Sequence, residues 1–272
     1  MRPSVIKQKL GEGKPVFLTQ LHLTDASVFE MVSVMGFDGI WMDLEHHGYS
    51  LETAENLIRS TRIGSADVLA RPGKGEFMRM GRLLEMGAKG IMYPRCSNAE
   101  EAKMVVEWAK FAPLGKRGFD GSGADAFYTN IPIDEYVIDA NNETFLIIQL
   151  EDPDSIKEAE KISAIDGVDA IMLGQADFSV LSCIPGQLDH PLVKDALKKV
   201  LPENVPMPAG TRNKTNIDQN TKTDSKDEGD GIAHEEEVLE DGTTDLSDDV
   251  EPPGEATDDQ DRDSLSVEDQ KE

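Results

Sequence analysis

The stretch 36-GFDGIWMDLEHHGYS-50 carries an apolar run, Ile40, Trp41 and Met42, that ends in Asp43, Glu45, His46 and His47 within five positions. A short, nearly continuous apolar run of this kind reads as a strand buried on both faces. The same form recurs along the first 200 residues, at 15-PVFLTQL-21, 38-DGIWMDL-44, 66-ADVLAR-71, 90-GIMYPR-95, 144-TFLIIQL-150 and 168-VDAIMLG-174. Between these runs lie amphipathic helical patterns, among them 25-DASVFEMVSVMG-36, 50-SLETAENLIRSTR-62, 75-GEFMRMGRLLEMGA-88 and 98-NAEEAKMVVEWAKF-111. Ser50 and Thr53 stand in cap-like positions, the fourth pattern opens with Ser97-Asn98 and puts Glu100 and Glu101 in a first turn where the helix dipole favours them, and Gly36 and Gly87 sit where helices must end.

Buried strands that alternate with helices predict a parallel sheet covered by helices, either an open doubly wound sheet or a (β/α)8 barrel. The strand ends favour the barrel. Ionisable groups close four of the six runs (Asp43 with Glu45 and His46, Arg71, Glu151, Asp177). Barrel active sites draw on the C-terminal ends of several strands, whereas an open sheet concentrates its site at one switch point, usually beside a Gly-rich first loop. No such loop follows the first run.

Net charge is −26, unevenly placed: from Thr211 to Glu272 there are 22 acidic and 6 basic residues and no Phe, Trp or Tyr. Such a segment cannot bury enough apolar surface to offset its chain entropy, so residues 206–272 are expected to be a disordered acidic tail that solvates, and 1–205 the folded domain. An acidic body argues against nucleic acid as a ligand. Cys96 and Cys183 match no zinc or disulfide spacing. No signal peptide and no run near the ~18 residues of a membrane span is visible, so the expectation is a cytoplasmic protein with no membrane partner.

By residue type, Glu151 and Asp177 are hard oxygen ligands beyond adjacent strands, suited to Mg2+ or Mn2+ with positions left for a substrate. The competing reading is that an acid here, Asp177 or Asp154, caps the next helix. Gln149 alternates with Glu151 and points the same way. Arg71, ending its strand before Pro72-Gly73, is a candidate clamp for a carboxylate or a developing enolate oxygen, which is compatible with a salt bridge to a neighbouring strand-end acid. Alternation places Trp41, Asp43 and Glu45 on one side and Met42, Leu44 and His46 on the other. A histidine beside carboxylates can be held in one tautomer, which suits a general base. His46 is that candidate; His47 is the weaker one, with no identifiable partner.

With these residues assembled, the chain resembles the HpcH/HpaI aldolase/citrate lyase family. The matching pieces are GFDGIWMDLEHHGYS, LARPGKGE, GAKGIMYPRCSNAEEAKMVVEWAKFAPLGKRGF, LIIQLED and VDAIMLGQADFSVLSCIPGQLDHPLV, in family order over residues 5 to 200. The resemblance implies a (β/α)8 barrel of the phosphoenolpyruvate/pyruvate type. It also implies a metal-dependent aldolase that cleaves a 4-hydroxy-2-oxo acid to pyruvate, or a related 2-oxo acid, and an aldehyde, with Mg2+, Mn2+ or Co2+ as cofactor. By position, Glu151 and Asp177 are similar to the family's metal ligands, with Gln149 beside them. Arg71 is similar to the residue that holds the enolate oxygen, and His46 with Asp43 to the base and its orienting acid. Gly174 and Ala176 are similar to the backbone positions that touch the 2-oxo acid's carboxylate. A homo-oligomer with active sites near subunit contacts is implied as well.

Two departures stand out. Gln175 replaces the family's usual proline. A complete barrel needs eight strands and about 250 residues, yet the recognisable fold stops near Leu201, so the barrel is expected to be shortened to six or seven strands, with 205-VPMPAGT-211 as the candidate seventh. Two other functions stay open at this point. One is a non-catalytic paralogue that binds metal, a 2-oxo acid or a partner protein. The other is a lyase of acyl-CoA esters, which would want a basic and apolar surface that the sequence does not offer.

Overall fold

The computed structural model describes residues 1–201. The expected acidic tail and the candidate strand 205–211 lie outside the described residues.

Six parallel strands form one sheet in the order β1-β2-β3-β4-β5-β6. They are β1 (Leu18–Leu21), β2 (Gly39–Asp43), β3 (Asp67–Arg71), β4 (Gly90–Tyr93), β5 (Phe145–Leu150) and β6 (Ala170–Leu173). Each falls inside a run expected from the sequence. β1 begins only at Leu18 because Pro15 has no N–H for a ladder, and the carbonyl of Phe17 takes the N–H groups of Asp38 and Gly39 instead. Sequential order without reversal is the winding of a barrel; a doubly wound sheet reverses at its switch point. The result is a curled α/β half-barrel. Among the described residues β1 pairs only with β2 and β6 only with β5.

The helices are α1 (Val5–Gly11), α2 (Ala26–Val34), α3 (Leu51–Ser60), α4 (Phe77–Glu85), α5 (Ala99–Ala109), α6 (Ile133–Glu143), α7 (Ala159–Ser163), α8 (Gln175–Leu181) and α9 (Pro191–Val200). The caps act as their residue types require. Ser50 Oγ accepts the Thr53 N–H of α3 at 3.0 Å and Asn98 Oδ1 accepts the Glu101 N–H of α5 at 2.9 Å, each stabilising its helix by about 1 kcal/mol. The sequence pattern does not announce α1 or α6. The latter buries only Tyr136 and Ala140, too narrow an apolar stripe to stand out among its polar neighbours.

Alternation along the strands builds two layers. Outward residues such as Ile40, Met42, Val68, Ile91 and Ile148 join the main core beneath the helices. Inward residues Leu69, Met92 and Phe145 pack with Ile6 of α1, flanked by Trp41, Ile147 and Met172. Burying each large aliphatic side chain contributes roughly 1.5–3 kcal/mol. Gly90 has no alternative in this layer, since a Cβ there would overlap the Phe145 ring and approach Leu69 Cδ1 to 2.8 Å. The N-terminal segment is tied under the sheet by Asp67, whose carboxylate accepts from Ser4 Oγ (2.7 Å), the Ile6 N–H (3.0 Å) and Arg2 (3.2 Å). That anchoring places the opposite, C-terminal strand ends at the free mouth of the half-barrel.

Candidate active site

β2 and β3 deliver the first pair. Their register sets Asp43 opposite Arg71, both buried. Arg71 Nε and Nη2 donate to the two carboxylate oxygens at 2.9 and 2.6 Å. The backbone N–H groups of Glu45 and His46 add bonds at 3.1 and 3.4 Å. Burial works against the charge of Asp43, but these bonds and the guanidinium outweigh it and hold its pKa below the ordinary carboxylate value. Arg71 in turn is held above its ordinary value: burial opposes its charge, and Asp43, Glu45 and Glu151 more than compensate. Its guanidinium lies 4.8 Å over the Trp41 ring, a cation–π contact that adds to its fixation.

β5 extends the chain of contacts. Gln149 presents its amide oxygen to Arg71 Nη1 at 3.3 Å and its amide nitrogen to Glu151 Oε1 at 2.6 Å, so one side chain orients both neighbours. Glu151 is almost fully buried and its pKa is pushed up to about 7, first by burial and then by the negative charges of Asp177 and Glu45; the Arg95 N–H, donating to Oε2 at 3.1 Å, pulls the other way. Glu45 is likewise raised by burial, against the pull of Arg71 and His46. Its Oε2 is buried without a hydrogen bond, although Arg71 Nε stands at 3.4 Å and His46 Nε2 at 3.5 Å.

β6 supplies the last element. Gly174 is the N-cap of α8, and Asp177 lies in the first turn of that helix rather than capping it. A Cβ on Gly174 would overlap the Glu151 carboxylate, so glycine is what lets the strand-end acid sit there. The Gly174 N–H is spent on the Leu150 carbonyl at 3.0 Å. The backbone contact expected between Gly174 and a substrate carboxylate is therefore not available from that N–H, and the role of Gly174 is spatial. The Ala176 N–H, in the first turn of α8, has no place in the intrahelical ladder.

Asp43, Arg71, Gln149, Glu151 and Asp177 thus gather as expected at the strand ends. The histidines differ from expectation. The His46 side chain is about half exposed and its nearest acid is Glu45, not Asp43; only its backbone N–H reaches Asp43. The imidazole beside Asp43 is that of His47, with Nε2 at 3.8 Å from Oδ2. His47, which had no partner in the sequence, also packs against His22 with ring centroids 4.0 Å apart. His22 follows β1, so no local spacing could pair it with His47. Arg95, which holds Glu151 through its backbone, was likewise hidden.

The donor set fits a divalent cation on two observations. Beyond burial, Glu151 is raised by the charges of Asp177 and Glu45, Glu45 is raised by those of Asp43 and Asp177, and one buried oxygen of Glu45 has no hydrogen-bond partner. Both costs fall when a positive charge is shared among them. Among the described residues no group of three or more His, Cys, Asp or Glu side chains stands in metal-binding geometry.

A curled parallel sheet wound in sequence order, with acids, an arginine and a glutamine converging at its C-terminal mouth, is the arrangement in which barrel enzymes build their active sites. The chain belongs to the HpcH/HpaI aldolase/citrate lyase family, whose sequence model matches residues 17–206. It is 32% identical over 172 residues to the hydroxypyruvate/pyruvate aldolase of Sagittula stellata, covering 63% of this chain and 67% of that one. It is 27% identical over 198 residues to the 4-hydroxy-2-oxo-heptane-1,7-dioate aldolase of Klebsiella pneumoniae, covering 73% and 74%. The crystal structure of an HpcH/HpaI aldolase from Desulfitobacterium hafniense superposes with a TM-score of 0.67 at 33% identity, over 72% of this chain and 75% of that one. Among the described residues no helix is long and apolar enough to cross a membrane.

Proposed function

We propose that this chain is a divalent-metal-dependent aldolase that cleaves a 4-hydroxy-2-oxo acid to pyruvate, or a close 2-oxo acid, and an aldehyde. The observation that carries the reading is the unbroken contact chain Asp43–Arg71–Gln149–Glu151, with Asp177 beside its end. Glu151 and Asp177 would hold the cation, Mg2+, Mn2+ or Co2+, which supplies Lewis acidity towards the oxygens of the 2-oxo acid.

The remaining work belongs to side chains of this protein. His46, half exposed at the mouth, takes the proton of the 4-hydroxyl. The C3–C4 bond then breaks, the C4 oxygen becomes the aldehyde carbonyl, and the bonding pair passes to C3 as an enolate. Arg71, fixed by Asp43 and Gln149, places positive charge beside the enolate oxygen as it develops. The proton taken up by His46 then passes to C3, which completes pyruvate and restores the base. Asp43 is spent on Arg71 and on the backbone of the 45–46 turn, so its part is to position these groups. Ala176 offers a backbone N–H to the substrate carboxylate. The relatives named as a hydroxypyruvate/pyruvate aldolase and as a 4-hydroxy-2-oxo-heptane-1,7-dioate aldolase are consistent with this chemistry. Residues 1–205 would form the catalytic domain, and assembly as a homo-oligomer is part of the same reading.

The test is pyruvate release from a panel of 4-hydroxy-2-oxo acids after chelation and again after adding Mn2+. Release that chelation abolishes and Mn2+ restores is the expected result; release that survives chelation overturns the metal assignment.

A further inference from the structure

The strand ends opposite the mouth border a cavity of about 200 Å³, whose wall includes Arg2, Ile58, Arg62, Lys89, Asp125 and Phe127. None of these residues takes part in the chemistry proposed above. Lys89 comes directly before β4, and Arg2 lies under Asp67 at the start of β3. Arg62 follows α3. A Cβ on Gly87 would stand 3.1 Å from Arg62 Nη2, which places the end of the guanidinium beside Gly87, itself part of the wall.

Three cations meet here, and their charges are poorly matched. Lys89 is almost fully buried and donates to the Arg2 carbonyl, a neutral acceptor. It makes no ion pair among the described residues, and burial, outweighing the pull of Asp67, lowers its pKa to about 8. Arg62 makes no ion pair among them either; it donates to the Met86 carbonyl at 3.4 Å. Arg2 gives Nη2 to the Ala66 carbonyl and to Asp67 at 2.9 and 3.2 Å, but its Nη1 is buried with no partner. The acid in the wall, Asp125, is already engaged. Tyr136 OH and Arg117 Nη2 donate to its Oδ2 at 2.5 and 3.2 Å, and the Ala126 N–H donates to Oδ1 at 2.9 Å.

Unmatched charge in a buried setting is costly, and an anion shared by these donors relieves it. Arginine and lysine are the side chains that recognise carboxylate and phosphate. Ile58, Ala88 and Phe127 make much of the remaining wall apolar, so the occupant carries an apolar body as well as a charged head. Phe127, Tyr128 and Thr129 hold left-handed backbone in succession, at φ +49°, +56° and +68°. That conformation is costly for residues with side chains and concentrates at functional sites.

We propose that this cavity is a binding site for a small organic anion, its carboxylate or phosphate held by Arg2, Arg62 and Lys89 and its apolar body against Ile58 and Phe127. The site lies at the far end of the strands from Glu151 and does not depend on the aldolase reading.

The experiment titrates the full chain, freed of metal by a chelator, with benzoate, phenyl phosphate and the neutral benzamide, and follows the heat of binding. At least one of the two anions is expected to bind one-to-one, about tenfold or more tighter than benzamide. Whichever anion binds more tightly tells whether the head group is a carboxylate or a phosphate. Arg62→Gln, at an exposed position where the fold is retained, and Lys89→Met should each weaken that binding by about 10- to 100-fold. If Lys89→Met does not fold, Arg62→Gln decides by itself. Three outcomes overturn the proposal: no binding of either anion at millimolar concentration, benzamide binding as tightly as the anions, or unchanged affinity in Arg62→Gln, which would place the anion elsewhere.

Discussion

Asp43 and Arg71 face each other across the β2–β3 ladder, joined by two hydrogen bonds of 2.9 and 2.6 Å in a setting almost closed to solvent. The pair stiffens the site and aims the remaining guanidinium donors at Gln149 and the mouth. Removing one partner leaves the other charge buried and uncompensated, which is far costlier than never having had the pair.

Asp43→Asn should therefore lower unfolding free energy by about 3 kcal/mol and reduce kcat more than it raises KM. Because the folded pKa of Asp43 is depressed, its contribution is present above the ordinary carboxylate pKa and is lost as pH falls through the lowered value. Urea titrations of wild type and variant should converge in strong acid. A constant gap at every pH would mean that packing, and not charge, sets the difference.

Glu151 has the opposite sign. Its folded pKa near 7 lies above the unfolded value, so between roughly pH 4.5 and 7 the folded state keeps a proton that the unfolded chain has released, and metal-free stability falls as pH rises through that window. Glu151→Gln should be more stable than wild type at pH 8 without metal, by about 1–3 kcal/mol. Mn2+ should raise the melting temperature of wild type and leave that of the variant unmoved. A variant that melts lower than wild type at pH 8 would contradict the crowding of carboxylates inferred here.

The two histidines can be separated kinetically. His46→Gln should reduce kcat by about 10²- to 10⁴-fold, the usual contribution of a general base, and remove one limb of the pH–rate profile. His47→Gln should cost no more than about tenfold, by loosening Asp43. If the larger loss and the altered pH profile belong to His47, the base is the imidazole that contacts Asp43, and the assignment of His46 is wrong.

Gly174→Ala tests the fit at β6. The added methyl meets the Glu151 carboxylate, so Mn2+-dependent activity and the Mn2+-induced rise in melting temperature should both be lost, while the far-UV circular dichroism spectrum stays that of wild type. A variant that binds Mn2+ as well as wild type would show that Glu151 can move aside, and that the close approach is dispensable.

Much of this architecture is legible along the chain because its causes are local. The runs around Ile40, Val68, Ile91 and Ile148 are apolar enough to demand burial on both faces, and β2 to β5 are so buried, whereas the edge strands β1 and β6 are only partly covered. Ser50 and Asn98 can cap only the helices that follow them. Gly36 and Gly87 reach φ +92° and +108°, backbone that their side chain-bearing neighbours would resist. Alternation alone carries Gln149 and Glu151 to the same side. Helix α6 escaped because two buried side chains make a poor periodic signal.

Hydrophobic period and neighbours a few positions away were thus enough to locate the strands and the strand-end residues available for chemistry, and the spread of those residues over several strands favoured a barrel over an open sheet. Only the tertiary structure decided the partnerships. Asp43 spends its charge on Arg71, 28 positions on in sequence; His47 meets His22; the Gly174 N–H goes to Leu150; and Arg95 turns its backbone to Glu151. Those contacts join residues far apart in the chain, and they exist because parallel strands in register bring their C-terminal ends to one mouth, where burial makes every charge seek the nearest compensating group.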